Sequence, residues 1–309
     1  MDLSGVFVPL ITPFTPAGDV DVAALDGLAR EAVAAGAAGL VALGTTGEPA
    51  TLEDAERRAV LDVCAAVRRD TGTTLVVGAG TSGTRRSAAA LAELAAWPEV
   101  DAALVPVPAF VRPSEAGVVR HMAEVAARSP VPLVAYHVPH RTGRSLGAAA
   151  LRELATLPGV VGLKHAVAAL DADAVTLLAD PPPGFAALAG DDVMAVPMLA
   201  LGASGGILAS AHLCTGRWAA MVAAWRAGDA VRARCLGAPL VPLAAALFAE
   251  PNPTVIKAVL HARGRIATPD VRLPLLPPDP VTVGAALDLL KAAEHAPDAA
   301  VTVRDGREE

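Results

Sequence analysis

The sequence predicts a (β/α)8 barrel, the TIM-barrel fold, with a C-terminal helical extension. Short apolar segments alternate with Ala- and Leu-rich stretches of helical spacing along most of the chain. The apolar segments lack a polar alternation, which is typical of parallel strands covered by helices on both faces. Eight strand–helix pairs fit into about 225 residues, and eight is the number that closes such a barrel. A doubly wound open sheet is the alternative, because periodicity does not give strand order.

The predicted strands are short and apolar on both faces, as buried strands should be. In chain order they are Val6–Leu10, Leu40–Gly44, Thr74–Gly78, Ala102–Pro106, Pro132–Val138, Val160–Lys164, Phe185–Ala189 and Gly205–Leu208.

A helix is predicted after each strand, and two of the helices carry a start signal. Thr51 precedes one of them with Asp54 three positions on, and Ser114 precedes Glu115. In chain order the predicted helices are Val22–Ala35, Leu52–Arg69, Arg86–Ala96, Glu115–Arg128, Ala148–Leu157, Leu170–Leu178, Val193–Leu201 and Leu213–Ala227.

The remainder of the chain, from Asp229, predicts three more helices separated by Pro-rich segments at 250–253 and 273–280. No linker composition separates these helices from the barrel. We therefore expect a barrel over residues 1–228 and a helical appendage, packed on it, over 229–296. The last residues, 297–309, are expected to form a flexible tail.

The composition excludes several classes of protein. Hydrophobic residues make up 53% of the 309 residues and charged residues 18%, which excludes disorder for most of the chain. The net charge of −7, without a basic run, argues against nucleic-acid binding. Three cysteines without CxxC spacing indicate neither disulfides nor a zinc site. Without a cationic leader or an apolar run of ~20 residues, we expect a cytoplasmic protein that does not enter membranes.

Lys164 is notable because it ends a predicted strand that is buried on both faces. A charged amine in that place would carry a large desolvation cost, and desolvation lowers the affinity of an amine for protons. A neutral amine is the nucleophile that forms an imine with a ketone. The alternative is a lysine that extends from the strand end to pair with a loop carboxylate.

Tyr136 is the only tyrosine in the chain and lies near the end of the preceding predicted strand. Adjacent barrel strands would bring its side chain to the same rim as Lys164. A phenol beside an imine-forming amine can move protons during loss of water from a carbinolamine and during deprotonation of the substrate. The alternative is a packed aromatic residue whose hydroxyl bonds to a backbone carbonyl.

Two further segments suit the binding of carboxylates. In GTTGE at 44–48, Gly44 and Gly47 let backbone amides approach an anion closely, and Thr45 and Thr46 add hydroxyl donors. The same letters are also ordinary turn material. Arg141, just past the fifth strand, could bind a second carboxylate through two nitrogens, and the alternative is a solvated surface arginine.

In combination these segments resemble the dihydrodipicolinate synthase and N-acetylneuraminate lyase family, the pyruvate-dependent class I aldolases on a (β/α)8 barrel. The resemblance covers nearly the whole chain and rests on GTTGEPATL, YHVPHRTG, GLKHA, AGDD and EPNPTVIK in that order. The Thr in place of Ser in GTTGE, Arg141 in the RTG string and the EPNP segment are more similar to the synthase branch than to the sialic-acid lyase branch.

The resemblance implies a role for each candidate residue. Lys164 would form a Schiff base with pyruvate or a related 2-oxo acid, so that no cofactor is needed. Tyr136 would be the proton shuttle and Thr45 a relay hydroxyl. Thr46 and the backbone of Ile207 would hold the pyruvate carboxylate.

The resemblance also implies a partner for pyruvate and an assembly. In synthases of this family an arginine in the place of Arg141 binds the carboxylate of aspartate semialdehyde, which favours condensation of pyruvate with a short carboxylated aldehyde. Family members are commonly tetramers built from tight dimers, so we expect a homotetramer. Gly190 and His140 are expected next to the residues that touch substrate, and no metal site is indicated.

Two of the three departures from the synthase pattern concern Phe110 and His165. Phe110 replaces a tyrosine whose hydroxyl reaches a partner subunit's site, so the proton relay is cut or passes through water. His165 replaces an acidic or small residue and, on a strand, should point away from Lys164. Two alternatives therefore stay open: an aldolase or dehydratase acting on a sugar-derived or aromatic 2-oxo acid, and a 2-oxo-acid-binding protein without turnover.

Overall fold

A computed structural model describes residues 2–298 and contains a closed barrel of eight parallel strands. Neighbouring strands pair in chain order, and β8 pairs with β1, which closes the sheet. The strands are β1 (Gly5–Pro9), β2 (Gly39–Ala42), β3 (Thr74–Gly78), β4 (Ala102–Pro106), β5 (Leu133–His137), β6 (Val160–His165), β7 (Ala186–Ala189) and β8 (Gly205–Ile207). The predicted barrel is confirmed and the open sheet is excluded.

The end of β2 shows why some predicted strand boundaries were wrong. The strand was predicted to reach Gly44 but ends at Ala42. Leu43 adopts a left-handed conformation with φ of 53°, which residues other than glycine rarely adopt. This conformation stops strand pairing. The chain therefore turns at the C-terminal rim of the barrel and enters the 44–48 segment there.

Helices cover the outside of the barrel after each strand, with one extra short helix, α5, after β5. They are α1 (Val22–Ala34), α2 (Asp54–Thr71), α3 (Thr84–Ala92), α4 (Glu115–Ala126), α5 (Pro139–Thr142), α6 (Ala148–Ala155), α7 (Ala172–Ala179), α8 (Ala195–Ala200) and α9 (Thr215–Arg226).

One of the two predicted helix caps is confirmed. Ser114 accepts a hydrogen bond from the Gly117 N–H at the start of α4, over 3.2 Å. The prediction for Thr51 was wrong, because α2 begins later, with a capping box formed by Glu53 and Glu56. Thr51 instead ends a short 3₁₀ turn, and its hydroxyl donates to the Glu48 carbonyl over 2.9 Å.

Four helices follow α9, where the sequence predicted three. Pro239 and Pro242 have no backbone N–H, so the helical hydrogen-bond series cannot continue and one apolar stretch forms two helices. The four are α10 (Ala230–Gly237), α11 (Leu240–Leu247), α12 (Thr254–Ala262) and α13 (Pro280–His295).

The segment Ala230–Leu247 is long and apolar enough to cross a membrane by length and composition alone. In the structure it is divided into α10 and α11, each of 8 residues. A helix of that length spans about 12 Å, well short of the ~30 Å of a bilayer core. The two helices pack on α9 and α13 respectively.

The buried apolar side chains form three clusters: one inside the barrel, one between strands and helices, and one under the last helices. Inside the barrel, a Cβ at Gly39 would lie 2.5 Å from the ring of Phe7, so only glycine leaves room for this phenylalanine. The third cluster joins α11–α13 to Ile11 and Leu28 of the barrel. The predicted tail, 297–309, lies outside the described residues from position 299 onwards.

Candidate active site

Lys164 and Tyr136 lie side by side at the C-terminal end of the barrel. They are direct partners in the register of β5 and β6, so both side chains leave the sheet on the same side. The Lys164 Nζ lies 4.5 Å from the centroid of the Tyr136 ring. Lys164 is 6% exposed and Tyr136 is 8% exposed. The amine is thus largely shielded from bulk water and directly beside the only phenol of the chain.

A cavity of about 440 Å³ opens beside this pair, and most of the predicted site residues line it. The predicted residues in its wall are Thr45, Thr46, Tyr136, His140, Arg141, Lys164, Gly190 and Ile207. Gly44 lines a neighbouring cavity, and the Gly47 N–H donates to the Gly44 carbonyl over 2.9 Å within the turn. Phe110 lines neither cavity, and its side chain is 94% exposed.

Thr46 is held at the cavity by a residue of the C-terminal extension. Asn252 donates from Nδ2 to the Thr46 hydroxyl oxygen over 3.0 Å, so the hydroxyl proton remains free to point at an acceptor such as a carboxylate. Asn252 was not predicted as a site residue, although it lies in the EPNP segment. The two positions are 206 residues apart, and only the fold brings them together.

Gly190, at the end of β7, makes room for the lysine. A Cβ at this position would lie 2.7 Å from Cγ and 2.9 Å from Cε of Lys164. The stem of Lys164 therefore passes through the space that a side chain at 190 would occupy. Gly190 thus lies against Lys164, and its place next to substrate stays a prediction.

A model of the dihydrodipicolinate synthetase family matches residues 2–293 of the chain. The chain belongs to this family. It is 34% identical over 278 residues to 4-hydroxy-tetrahydrodipicolinate synthase 2 of Halalkalibacterium halodurans, which covers 90% of this chain and 94% of the relative. The 4-hydroxy-tetrahydrodipicolinate synthase of Salinibacter ruber is 37% identical over 276 residues, with coverage of 89% and 90%.

Solved structures of the dihydrodipicolinate synthetase family share the fold over almost the whole length. The dihydrodipicolinate synthase of Thermotoga maritima superposes with a TM-score of 0.90 at 28% identity, covering 95% of this chain and 99% of that one. The chloride-inhibited enzyme of Acinetobacter baumannii, solved in complex with pyruvate, gives a TM-score of 0.89 at 30% identity, with coverage of 94% and 99%.

Asp192, in the AGDD string, is a buried acid in the wall of the cavity that sequence reasoning did not assign. It is 3% exposed, and its Oδ2 accepts hydrogen bonds from the backbone N–H of Ser210 over 2.7 Å and from the Ser210 hydroxyl. Burial raises the pKa of Asp192 to about 6, while the Ser210 hydrogen bonds and the charge of Lys164 oppose this rise. The signal of Asp192 in the sequence was an acidic pair directly after a buried strand.

A buried ion pair anchors the 44–48 segment to the C-terminal extension and was also missed. The Lys257 Nζ lies 2.8 Å from Glu48 Oε1, with the two side chains 0% and 1% exposed. Glu48 Oε2 accepts from the Arg272 backbone N–H over 3.0 Å. Burial lowers the pKa of Lys257, and the charge of Glu48 opposes this. Because Glu48 follows Gly47 directly, the pair fixes the loop that presents Thr45 and Thr46.

His140 stands at the open side of the cavity, next to Arg141. Partial burial and then the charge of Arg141 lower the pKa of His140, which favours the neutral imidazole. Within residues 2–298, no group of three or more His, Cys, Asp or Glu side chains is arranged to hold a metal ion.

A second cavity of about 560 Å³ adjoins the first and shares Thr45, Tyr136, Arg141 and Asn252 with it. These four residues therefore stand between two chambers. Much of the second chamber is apolar, with walls from Leu43, Leu104, Pro106, Val107, Ala109, Val138, Pro274 and Leu275.

Proposed function

We propose that this protein is a Schiff-base-forming lyase that condenses pyruvate with an aldehyde, as 4-hydroxy-tetrahydrodipicolinate synthases do with aspartate semialdehyde. The observation that carries the proposal is the buried Lys164 amine, 4.5 Å from the Tyr136 ring and open to a cavity of about 440 Å³. Membership of the dihydrodipicolinate synthetase family and the names of the relatives support it.

In the proposed reaction the Lys164 amine adds to the keto carbon of pyruvate and forms a carbinolamine. Loss of water gives an iminium ion, which takes up the electron pair released when a proton leaves the methyl group. The resulting enamine adds to the aldehyde carbon, and water then releases the product and the free amine. Because the iminium ion is the electron sink, this chemistry requires no cofactor.

The residues around the amine suit the remaining tasks. The Tyr136 phenol and the Thr45 hydroxyl, which both line the cavity, would carry protons to and from the carbinolamine oxygen and the methyl carbon. Thr46 and the backbone of Ile207 would hold the carboxylate of pyruvate. Arg141, between the two chambers, would bind a carboxylate on the aldehyde.

Reduction with sodium borohydride in the presence of pyruvate tests the proposal. The chain contains three lysines, Lys164, Lys257 and Lys291, so the modified peptide identifies the amine without ambiguity. We expect the mass of one reduced pyruvyl group on Lys164, its loss in Lys164→Ala, and its retention in the matched control Lys291→Ala. An unmodified wild type, or an undiminished adduct in Lys164→Ala, contradicts the proposal.

The apolar second chamber favours a second candidate function: an aldolase or dehydratase of the same family acting on a larger 2-oxo acid or aldehyde. Ala109 and Leu275 would contact an apolar substituent there. A coupled assay with aspartate semialdehyde, run beside a panel of aromatic aldehydes, separates the two. Turnover of the semialdehyde far below about 1 s⁻¹, with faster turnover of an aromatic aldehyde, supports the second candidate.

We also propose that the protein is a cytoplasmic homo-oligomer, as a dimer of dimers. The neighbouring side chains of Phe110 and Val111 are 94% and 66% exposed, and such an apolar pair suits a contact with a second copy. A solved dihydrodipicolinate synthase described as a monomeric variant gives a TM-score of 0.89 at 28% identity, covering 94% of this chain and 97% of that one, so the family does not dictate one assembly. Light scattering that gave the mass of one 31.1 kDa chain would contradict this proposal.

A further inference from the structure

A hydrogen-bonded chain built on two buried histidines lies directly behind the Lys164–Tyr136 pair. His137 and His165 are the next partners in the β5–β6 register, and each is 2% exposed. Because successive residues of a strand face opposite sides, the two imidazoles lie on the outer side of the barrel wall. Their Nδ1 atoms are 3.2 Å apart.

Each end of this chain is anchored on a loop. The Leu146 N–H, just before α6, donates to His137 Nε2 over 3.1 Å. At the other end, His165 Nε2 lies 3.0 Å from Asp171 Oδ2, while Asp171 Oδ1 accepts from the Ala174 N–H of α7 over 2.7 Å. The two imidazoles thus join the rims of β5 and β6 to the loops before α6 and α7.

The contacts permit only one arrangement of protons. A backbone amide can only donate, so His137 Nε2 carries no proton and the ring's proton is on Nδ1. His137 then donates to His165 Nδ1, which leaves the proton of His165 on Nε2, facing Asp171. A further proton on either ring would set two donors against each other.

The burial of His137 agrees with this arrangement. Burial, followed by repulsion from His165, lowers the pKa of His137 to about 4, while the carboxylates of Asp171 and Asp173 act in the opposite direction. His137 is therefore neutral at neutral pH, as the hydrogen bonds require.

We propose that His137, His165 and Asp171 are positioning residues that fix the separation and orientation of Tyr136 and Lys164. This inference rests on the function proposed above. The imidazoles tie the two strands together one residue beyond the reacting side chains, so parting of the rings would move the amine relative to the phenol. A misplacement of about 1 Å can cost about a hundredfold in rate.

The substitution Asp171→Asn changes which nitrogen of His165 carries the proton, while the size of the side chain at position 171 stays almost constant. The asparagine Oδ1 can still accept from Ala174, but its amide then donates to His165 Nε2. The His165 proton moves to Nδ1, opposite the Nδ1 proton of His137. The matched control is Asp173→Asn, which removes a second carboxylate near His137. Its oxygen still accepts from the Ala148 N–H, which donates to Asp173 over 2.8 Å.

The readout is the rate at which pyruvate becomes trapped on Lys164 by borohydride at timed intervals. Asp171→Asn is expected to lower this rate about tenfold or more, and Asp173→Asn to stay within about twofold of wild type. Nitrogen NMR of the wild type, which needs no variant, is expected to show the proton on Nδ1 of His137 and on Nε2 of His165.

Equal trapping rates in the two variants, or the opposite tautomers in wild type, overturn the positioning role. Absence of any adduct on the wild type is a different outcome: it refutes the proposed function, and this inference with it.

Discussion

The position of the Lys164 amine depends both on the neighbouring Tyr136 ring and on the absence of a side chain at Gly190. The Tyr136 ring lies on one side of Lys164, and Gly190 leaves the other side empty enough for the lysine stem. The φ of Gly190 is not in the left-handed region, so its backbone would accept a side chain. The requirement for glycine therefore comes from the lysine and not from the local chain conformation.

Gly190→Ala should consequently damage chemistry more than stability. The new Cβ would lie 2.7 Å from Lys164 Cγ, so the lysine must shift and its amine leaves its place beside Tyr136. We expect the rate of pyruvate trapping to fall about tenfold or more, with a loss of about 1–2 kcal/mol in the free energy of unfolding.

The matched control for this substitution is Gly284→Ala in α13, where a Cβ would meet nothing within 4 Å. Trapping there should equal that of wild type, and alanine should leave the helix as stable or more so. If Gly190→Ala trapped pyruvate at the wild-type rate, the lysine would not depend on the space at position 190.

The candidate residues were predictable from the sequence to different degrees, for a physical reason. Lys164 and Tyr136 end neighbouring strands of a regular barrel, so their position in the sequence predicts their meeting at one rim. Asn252 and Asp192 reach the cavity from segments whose course depends on tertiary packing. Phe110, inferred from the resemblance to lie near the site, does not line the cavity in the single chain.

At the level of secondary-structure elements, the 44–48 segment depends on α12 for its position. Lys257 of α12 is fully buried, lies 2.8 Å from Glu48 Oε1, and stands 4.0 Å above the ring of Phe14. Glu48 has a left-handed φ of 54°. A residue other than glycine keeps such a backbone conformation only when the surrounding structure fixes it. The ion pair supplies that fixation next to the two threonines of the site.

Removing one partner of this pair should be costly. Lys257→Met keeps most of the volume but leaves the Glu48 carboxylate buried without its ion-pair partner. We expect a loss of about 3–5 kcal/mol in the free energy of unfolding, measured with urea. The double variant Glu48→Gln/Lys257→Met removes both charges and should be less destabilised than Lys257→Met alone.

The exposed residue Lys291 provides the comparison, since its side chain is 65% exposed and its contact with Asp288 is at 3.5 Å. Lys291→Met should change the free energy of unfolding by no more than about 0.5 kcal/mol. Equal stability of Lys257→Met and Lys291→Met would show that the buried pair does not hold the loop.

Element boundaries were less predictable than the elements themselves. Periodicity located each strand of the barrel and each helix around it except the short α5. The start of α2 was decided by the reciprocal bonds of Glu53 and Glu56 rather than by Thr51. The division between α10 and α11 was decided by two prolines within an apolar stretch. Such choices depend on single residues, which a pattern averaged over many positions does not resolve.

For the molecule as a whole, three buried groups contribute to the response of stability to acid. His212 accepts from the Ile11 N–H over 3.1 Å, and burial lowers the pKa of both His212 and His137 to about 4. Burial raises the pKa of Asp192 to about 6. Below pH 6.5 the unfolded chain binds protons at the two histidines that the folded chain does not, which favours unfolding.

The free energy of unfolding is therefore expected to fall as the pH is lowered from 7 to 5. As the pH falls through 6, Asp192 takes up a proton in the folded state before it does so in the unfolded chain. This uptake offsets the destabilising effect of about one histidine. The net loss should be about 2 kcal/mol between these pH values, measured by urea unfolding. Constant or increased stability at pH 5 would show that the two imidazoles are not held neutral in the folded protein.

The architecture followed from the sequence because a parallel barrel repeats one local unit eight times, and each unit carries its own apolar pattern. The second chamber did not follow, because it forms between loops after several strands and the segment around Leu275. Loops are fixed by contacts between distant parts of the chain, and those contacts leave little trace in local periodicity.

The contact of Asn252 with Thr46 and of Lys257 with Glu48 has a consequence for how this gene can change. A recombination event that exchanged everything after α9 for the end of a related barrel would replace both Asn252 and Lys257. Thr46 and Glu48 would then face residues that had not been selected together with them. Positions 46, 48, 252 and 257 must therefore come from the same parent. We expect hybrids whose crossover point lies between 48 and 252 to be defective even when each parent is active.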